Sequence, residues 1–261
     1  MMKYALKTAL ITGASSGIGQ AFAYSLAKKG MNLVLVARSA NKLEMMAAEL
    51  YHQYGIQVDV ITADLSTEKA AISVYEQTQK KGLVINLLIN NAGFSTNGNF
   101  ENISLAKDHQ QVMLNVVSVV DLTHAFIPDM LAKGEGAIIN VGSTTSFYPL
   151  AYQAVYAASK AFVLSFSEGL WAEYQGRGIK VLALCPGATD TEFFQTMGRN
   201  VKLKKHTPQE VVRIALSALD KNQHYVIPGF KNNFESRFLP RLLPRSWVAK
   251  LVATVSQTVY L

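Results

Sequence analysis

The sequence predicts a doubly wound α/β fold, a parallel sheet of seven strands with helices on both faces. Three observations predict it. Short apolar runs alternate with helix-period segments along most of the 261 residues. The runs are apolar throughout rather than alternating in and out, as strands covered on both faces require. A glycine-rich turn, Gly13-Ala14-Ser15-Ser16-Gly17-Ile18-Gly19, joins the first run to the first helical segment.

Each element has its own signal. Ala5–Thr12 is an apolar run that ends on Gly13, and Gly17–Lys29 has helical spacing that stops at Gly30. Met31–Ala37 reads as a buried strand. Asn41–Tyr54 is helical, with Asn41 as candidate N-cap and Gly55 as terminator. Ile56–Thr62 is a third strand, Ser66–Lys81 a helix closed by Gly82, and Leu87–Asn90 a short fourth strand. Leu105–Ala132 carries a long helical pattern, followed by a fifth strand at Gly136–Val141. Tyr152–Gln175 is helical, Ile179–Leu184 a sixth strand, Pro208–Leu219 a helix and His224–Ile227 a seventh strand. Strands separated by amphipathic helices form a parallel sheet through right-handed crossovers. The expected result is a Rossmann-type fold with strand order 3-2-1-4-5-6-7, built as one domain over residues 1–261.

Composition narrows the classes. Apolar residues make up 49% of the chain, enough for a large core. The single cysteine, Cys185, rules out an intrachain disulfide framework and fits a reducing, cytoplasmic setting; packing at a strand end accounts for it. Lys3 and Lys7 precede a short apolar run in the manner of a secretory signal, but Gly13 breaks that run at once. No stretch reaches about 18 uninterrupted apolar residues, so no spanning helix is expected. The five histidines show no ligand spacing, and no metal site is expected.

Charge is placed unevenly. Residues 1–198 hold 14 basic and 15 acidic side chains, whereas residues 199–261 hold 11 basic and 3 acidic ones. The net charge of +7 is thus a property of the last quarter. No nucleic-acid-binding motif accompanies it, so no nucleic-acid partner is expected.

The glycine turn is the first candidate site. Glycines let the backbone turn sharply and approach a pyrophosphate, and the following helix N-terminus offers free amides and positive potential. In the first strand-to-helix turn of an alternating chain this is a dinucleotide signature. An NAD site places a carboxylate at the end of the second strand, about 20 residues on. Here Ala37 takes that position and Arg38 follows. A guanidinium suits a 2′-phosphate through charge and paired donors, which favours NADP(H) over NAD(H). The alternative is a surface arginine at a strand end. Asp64 and Leu65, after the third strand, are placed to meet the adenine. Asp64 has a second reading as a cap of the next helix, where Ser66 competes.

The second candidate site is Tyr156-Ala-Ala-Ser-Lys160, with Ser143 thirteen residues upstream. Positions i and i+4 share a helix face, so the spacing sets a phenol beside an ammonium. A nearby cation favours phenolate, and such a phenol can act as general acid or base. The spacing alone is weak evidence, because Tyr24 and Lys28 repeat it on the first helix. That pair has no serine-bearing strand before it and is read as an ordinary surface pair.

Together these pieces resemble the short-chain dehydrogenase/reductase family, in order, from residue 5 to about residue 195. The matching positions are Thr12, Gly13, Gly17 and Gly19, then Asn90-Asn91-Ala92-Gly93, Asn115, Ser143, Tyr156 with Lys160, and Pro186-Gly187 followed by Thr189 and Thr191. The resemblance implies a nicotinamide-dependent interconversion of carbonyl and alcohol. Tyr156 is then the proton donor, and Ser143 donates to the carbonyl oxygen. Lys160 lowers the tyrosine pKa and bonds the nicotinamide ribose, and Asn115 holds a water that relays protons to the lysine. It implies cofactor contacts from Ser15, Ser16, Ile18, Asn91, Ala92, Gly93, Pro186, Gly187, Thr189 and Thr191. Homodimers or homotetramers through the helices near 105–132 and 152–175 are implied as well. A weaker likeness points to the 3-ketoacyl and hydroxysteroid reductase branch, hence a hydrophobic ketone. The rival from another class is a non-catalytic NADP(H)-binding sensor; such proteins usually lose the tyrosine or the lysine, and both are intact here.

The end of the chain is less constrained. Residues 190–207 are expected to form a substrate lid containing Phe193, Phe194, Met197, Arg199, Lys202, Lys204 and Lys205. They read either as a solvated loop, which charge runs favour, or as an apolar pocket with a basic rim. Residues 230–261 form a basic, amphipathic extension. Arg237-Phe-Leu-Pro-Arg-Leu-Leu-Pro-Arg245 leads into Ser246–Leu261, where Trp247, Val248, Leu251, Val252, Val255 and Val259 fall near one stripe. Packing on its own domain or on a partner subunit is the preferred reading of that stripe. Peripheral membrane contact through 237–261 is the other.

Overall fold

A computed structural model of the chain describes residues 5–193 and 205–260. Seven strands form one sheet: β1 (Thr8–Thr12), β2 (Asn32–Ala37), β3 (Val58–Thr62), β4 (Ile85–Asn90), β5 (Gly136–Val141), β6 (Ile179–Leu184) and β7 (Tyr225–Val226). Their order is β3-β2-β1-β4-β5-β6-β7, and every pairing is parallel. The predicted fold class and strand order are therefore the observed ones. The order reverses between β1 and β4, and the crevice outside the carboxyl ends of strands at such a point is where open α/β sheets bind ligands.

Helices α1 (Gly17–Ala27), α2 (Ala40–Tyr54) and α3 (Ala70–Lys80) occupy the first half. In the second half come α4 (Leu105–Val112), α5 (Ser118–Lys133), α6 (Ala154–Glu173), α7 (Pro208–Asp220), α8 (Phe230–Leu242) and α9 (Arg245–Tyr260). Alternate strand residues feed two cores. Ala9 and Ile11 of β1 pack with Phe22 of α1, Leu43 of α2 and Val212 of α7. Leu10 packs on the other side with Val74 of α3 and Leu122 and Phe126 of α5. These side chains are fully or nearly fully buried, and each one larger than Ala9 contributes about 1.5–3 kcal/mol to the folded state by leaving water.

Several boundaries differ from the sequence reading. Helix α2 starts one residue early, with Ser39 rather than Asn41 at the N-cap; its terminator Gly55 is left-handed, as expected (φ 66°). Helix α3 starts at Ala70 rather than Ser66, because residues 64–67 are used in a turn: Asp64 Oδ1 accepts from the Ser66 amide at 3.0 Å and the Ser66 hydroxyl at 2.7 Å. Neither Asp64 nor Ser66 caps the helix. The long pattern at 105–132 is not one α-helix, since a π-helical turn, Met113–Val117, interrupts it. By length and composition Leu105–Lys133 could cross a membrane, yet it carries Leu122, Phe126 and Met130 into the core.

The largest difference is α8, a helix in the part of the basic, amphipathic extension to which the sequence pattern assigns no element. Pro240 lies within it, and the chain turns only at Leu243, which is extended (φ −110°, ψ 148°) as the residue before Pro244 tends to be. Of the expected lid, Phe194, Met197, Arg199, Lys202 and Lys204 lie outside the described residues, as do the side chains of Val255 and Val259.

Candidate active site

A cavity of about 1710 Å³ opens along the carboxyl ends of the strands. At one end the β1–α1 loop forms its floor, and Gly13, Ser15, Ser16, Gly17 and Ile18 line it. The other two glycine-motif residues stand behind that floor. Thr12 Oγ1 donates to the Ile89 carbonyl (3.3 Å) and accepts from the amides of Asn91 (2.9 Å) and Ala92 (3.0 Å), which ties β1 to the end of β4. Asn91 returns the tie by donating to the Thr12 carbonyl at 2.9 Å. A Cβ at Gly19 would stand 2.3 Å from the Gly13 carbonyl oxygen, so only glycine lets α1 pack this close to the loop. Gly17 has φ +58° and faces the Thr191 side chain.

Arg38, Asp64 and Leu65 line the far side of this end. Burial works to raise the Asp64 pKa, but its two Ser66 hydrogen bonds and the nearby Arg38 charge outweigh burial, and the net shift is downward. The carboxylate is thus ionised at neutral pH beside an arginine. Bare glycine backbone at a helix start, with a guanidinium at the end of β2, fits a dinucleotide.

At the other end, four elements converge. Ser143 follows β5. Its hydroxyl accepts from the Thr145 amide (3.2 Å) and caps a short 3₁₀ turn, Thr144–Phe147. The hydroxyl proton is still available to donate. Tyr156 and Lys160 lie on α6, both on the cavity wall with Ser143. Lys160 Nζ sits 5.8 Å from the centre of the Tyr156 ring and donates to the Val141 carbonyl at 2.8 Å. Burial lowers its pKa to about 8, with a smaller opposing influence from Cys185, so it remains a cation at pH 7. On the open side, the Phe193 ring lies 5.9 Å from that of Tyr156.

Asn115 lies in the π-helical turn, a feature that recurs at functional sites. Its amide holds the loop after β4: Nδ2 donates to the Phe94 carbonyl (3.0 Å) and the Ser159 hydroxyl (3.1 Å), and Oδ1 accepts from the Phe94 amide (3.2 Å). Gly93 stands between Asn115 and Lys160; a Cβ there would lie 3.0 Å from Asn115 Oδ1 and 3.5 Å from Lys160 Nζ. Beneath them, Asn90 Nδ2 donates to Asn140 Oδ1 (2.9 Å) and Thr123 Oγ1 (3.1 Å), and Asn140 donates to Ser167 (3.0 Å). This buried ladder joins β4, β5, α5 and α6. Pro186, Gly187, Thr189 and Thr191 complete the wall after β6, and the Pro186 carbonyl accepts from the Thr144 amide at 3.0 Å.

The short chain dehydrogenase family model matches residues 7–202. The chain belongs to the short-chain dehydrogenase/reductase family. It is an oxidoreductase of that family. It is 35% identical to the very-long-chain 3-oxoacyl-CoA reductase of Anas platyrhynchos, over 81% of this chain and 68% of the relative. It is 33% identical to 17-beta-hydroxysteroid dehydrogenase type 3 of Homo sapiens, over 93% of this chain and 82% of the relative. Among solved structures, a short-chain dehydrogenase from Sphingobium yanoikuyae in complex with NADPH superposes with a TM-score of 0.82 at 36% identity, covering 90% of this chain and 91% of that one.

Sequence reasoning missed some of this dehydrogenase's site. Tyr148, Leu150 and Gln153, between Ser143 and Tyr156, line the cavity, as do Phe230, Val248 and Val252 from α8 and α9. The first three sit between two recognised motifs, a position that could have marked them. Phe230 follows from α8 being a helix, a signal that Pro240 obscured, whereas Val248 and Val252 belong to the α9 stripe that the sequence shows, here packed on its own domain.

Proposed function

We propose that this short-chain dehydrogenase/reductase interconverts a hydrophobic ketone and its alcohol with NADP(H), and that Tyr156 is the general acid/base. The carrying observation is that Tyr156, Lys160 and Ser143 line the same cavity as the glycine loop and Arg38. A nicotinamide held at this site would supply or accept the hydride. Ser143 Oγ donates to the carbonyl oxygen as negative charge grows on it. Tyr156 Oη then transfers its proton to that oxygen and completes the alcohol. The Lys160 ammonium, held by Val141 and kept out of water, stabilises the phenolate left behind. Asn115, beside Lys160 across Gly93, serves the return of a proton from solvent through a held water.

Thr12, Gly19 and Asn91 shape the nucleotide loop, while Gly13, Ser15, Ser16, Gly17, Ile18, Ala92 and Gly93 face the cofactor. Arg38 would take the 2′-phosphate, Asp64 and Leu65 would hold the adenine, and Pro186, Gly187, Thr189 and Thr191 would hold the nicotinamide side. Support for NADP(H) is Arg38 in place of a carboxylate and the NADPH named with the Sphingobium structure. Support for a bulky apolar substrate is the lining by Phe94, Leu114, Leu150 and Phe193, together with the acyl and steroid activities in the relatives' names. Assembly as a homodimer or homotetramer through α4, α5 and α6 belongs to the same reading.

The test is NADPH oxidation over a panel of steroid, aryl and 3-oxoacyl ketones, with NADPH binding measured in parallel. Turnover of at least one apolar ketone, faster with NADPH than NADH, is the expected result. NADPH binding without turnover of any would replace this reading with the sensor.

A further inference from the structure

We infer that helices α8 and α9 form a docking face for an anionic membrane surface, set against the mouth of the cavity. The inference rests on the reading of that cavity as the site for an apolar ketone. On α8, Phe230, Phe234, Phe238 and Leu242 recur every fourth residue and are 90%, 53%, 47% and 76% exposed. Four-residue steps drift only about 40° around a helix, so the four make one stripe, and exposed Arg241 falls within its arc. The apolar exposure continues through Leu243 to Trp247 (66%) and Leu251 (48%) on α9. Side chains of this size are not left in water as a contiguous run without a partner.

The opposite side of α9 faces inward. Val248 and Ser256 are buried, and with Val252 they line the cavity. Phe230 and Leu251 belong to both surfaces, lining the cavity while remaining exposed. These two residues link the apolar outer face to the cavity and give an apolar solute a route between them.

Charge decides the occupant. Residues 230–261 carry five cations, Lys231, Arg237, Arg241, Arg245 and Lys250, against the single anion Glu235. Glu235 pairs with Lys231 at 3.7 Å. Arg237 turns inward over the Tyr225 ring. Arg241, Arg245 and Lys250 are left exposed beside the aromatic residues. Two copies of this face would oppose like charges, whereas an anionic bilayer neutralises the cations and receives the aromatic side chains.

The experiment is sedimentation of the full-length protein with phosphatidylcholine vesicles, with or without one-third phosphatidylserine, alongside turnover of a water-soluble ketone. Binding to the anionic vesicles, lost at about 0.5 M salt, is expected. The variant Arg241→Gln/Arg245→Gln/Lys250→Gln should bind about 100-fold more weakly. Phe234→Ser/Trp247→Ser should also lose binding, and neither variant should change turnover of the soluble ketone. For a ketone dissolved in the bilayer, anionic vesicles should raise the wild-type rate and leave the variants unaffected. Absence of wild-type binding, equal binding to neutral vesicles, or a dimer that both variants dissolve would each overturn the inference. Vesicle binding without turnover of any ketone would leave the docking face standing and remove the catalytic reading and the delivery route together.

Discussion

Two helices of this protein carry the same spacing, Tyr24 with Lys28 on α1 and Tyr156 with Lys160 on α6, and their surroundings make them opposites. Tyr24 donates to Glu49 Oε2 of α2 at 2.7 Å. Burial first, then that carboxylate, pushes its pKa up to about 12. Its phenolate is disfavoured, and Lys28 remains exposed. Lys160 instead is buried, fixed on a backbone carbonyl, and shares a cavity wall with Tyr156 and Ser143. Adjacency on a helix face follows from spacing; the chemistry depends on what the rest of the fold brings to that face. A phenol facing a carboxylate holds its proton, while one beside a desolvated ammonium can give it up.

The largest way to break the comparison is to remove the cations. Lys160→Ala should lower kcat/KM for ketone reduction by about 10³, whereas Lys28→Ala should leave it within about twofold. Comparable losses in both would erase the distinction. Next, Arg38→Ala should weaken NADPH binding by about 10- to 100-fold and leave NADH binding little changed, as loss of a charge-assisted contact to phosphate requires. Equal weakening for both cofactors in a binding titration would remove the 2′-phosphate role. Gly19→Ala must push apart groups 2.3 Å and 2.6 Å from the new Cβ, the Gly13 carbonyl oxygen and Asn91 Nδ2. It should cost about 1–3 kcal/mol of stability and roughly tenfold in NADPH affinity, read by urea unfolding and titration.

A subtler effect lies in the pH dependence of stability. The folded pKa of Lys160 is depressed to about 8 from 10.5, so between those values the unfolded chain binds the extra proton. Its contribution is fully present above 10.5 and is lost as pH falls through 8. The difference in unfolding free energy, wild type minus Lys160→Met, should therefore rise across that interval without cofactor; a flat difference would contradict the burial. The smallest effect is on α1, where Tyr24→Phe loses one exposed hydrogen bond and should cost less than about 1 kcal/mol in thermal unfolding.

The sheet was legible because parallel strands buried on both faces leave uniformly apolar runs, and because Gly55 and Gly30 mark helix ends. The glycine loop that floors one end of the cavity was legible because local backbone needs, at Gly13 and Gly19 above all, leave a fixed residue type. Other features depend on contacts distant in sequence. The π-helical turn around Asn115 does not alter the helical period. The turn at Asp64 could not be told from a helix cap by composition. Helix α8 was hidden by Pro240, which the fold accommodates inside the helix, and with it went the part of the cavity wall formed by Phe230, a residue that follows no motif.

The most direct measurement is ketone reduction by Tyr156→Phe and Tyr24→Phe under the same conditions, with NADPH binding measured on each sample. The account predicts that both variants bind NADPH within about threefold of wild type, that Tyr24→Phe turns over normally, and that Tyr156→Phe loses about 10³ or more in kcat. A Tyr156→Phe enzyme that still reduces ketone at near the wild-type rate would contradict it.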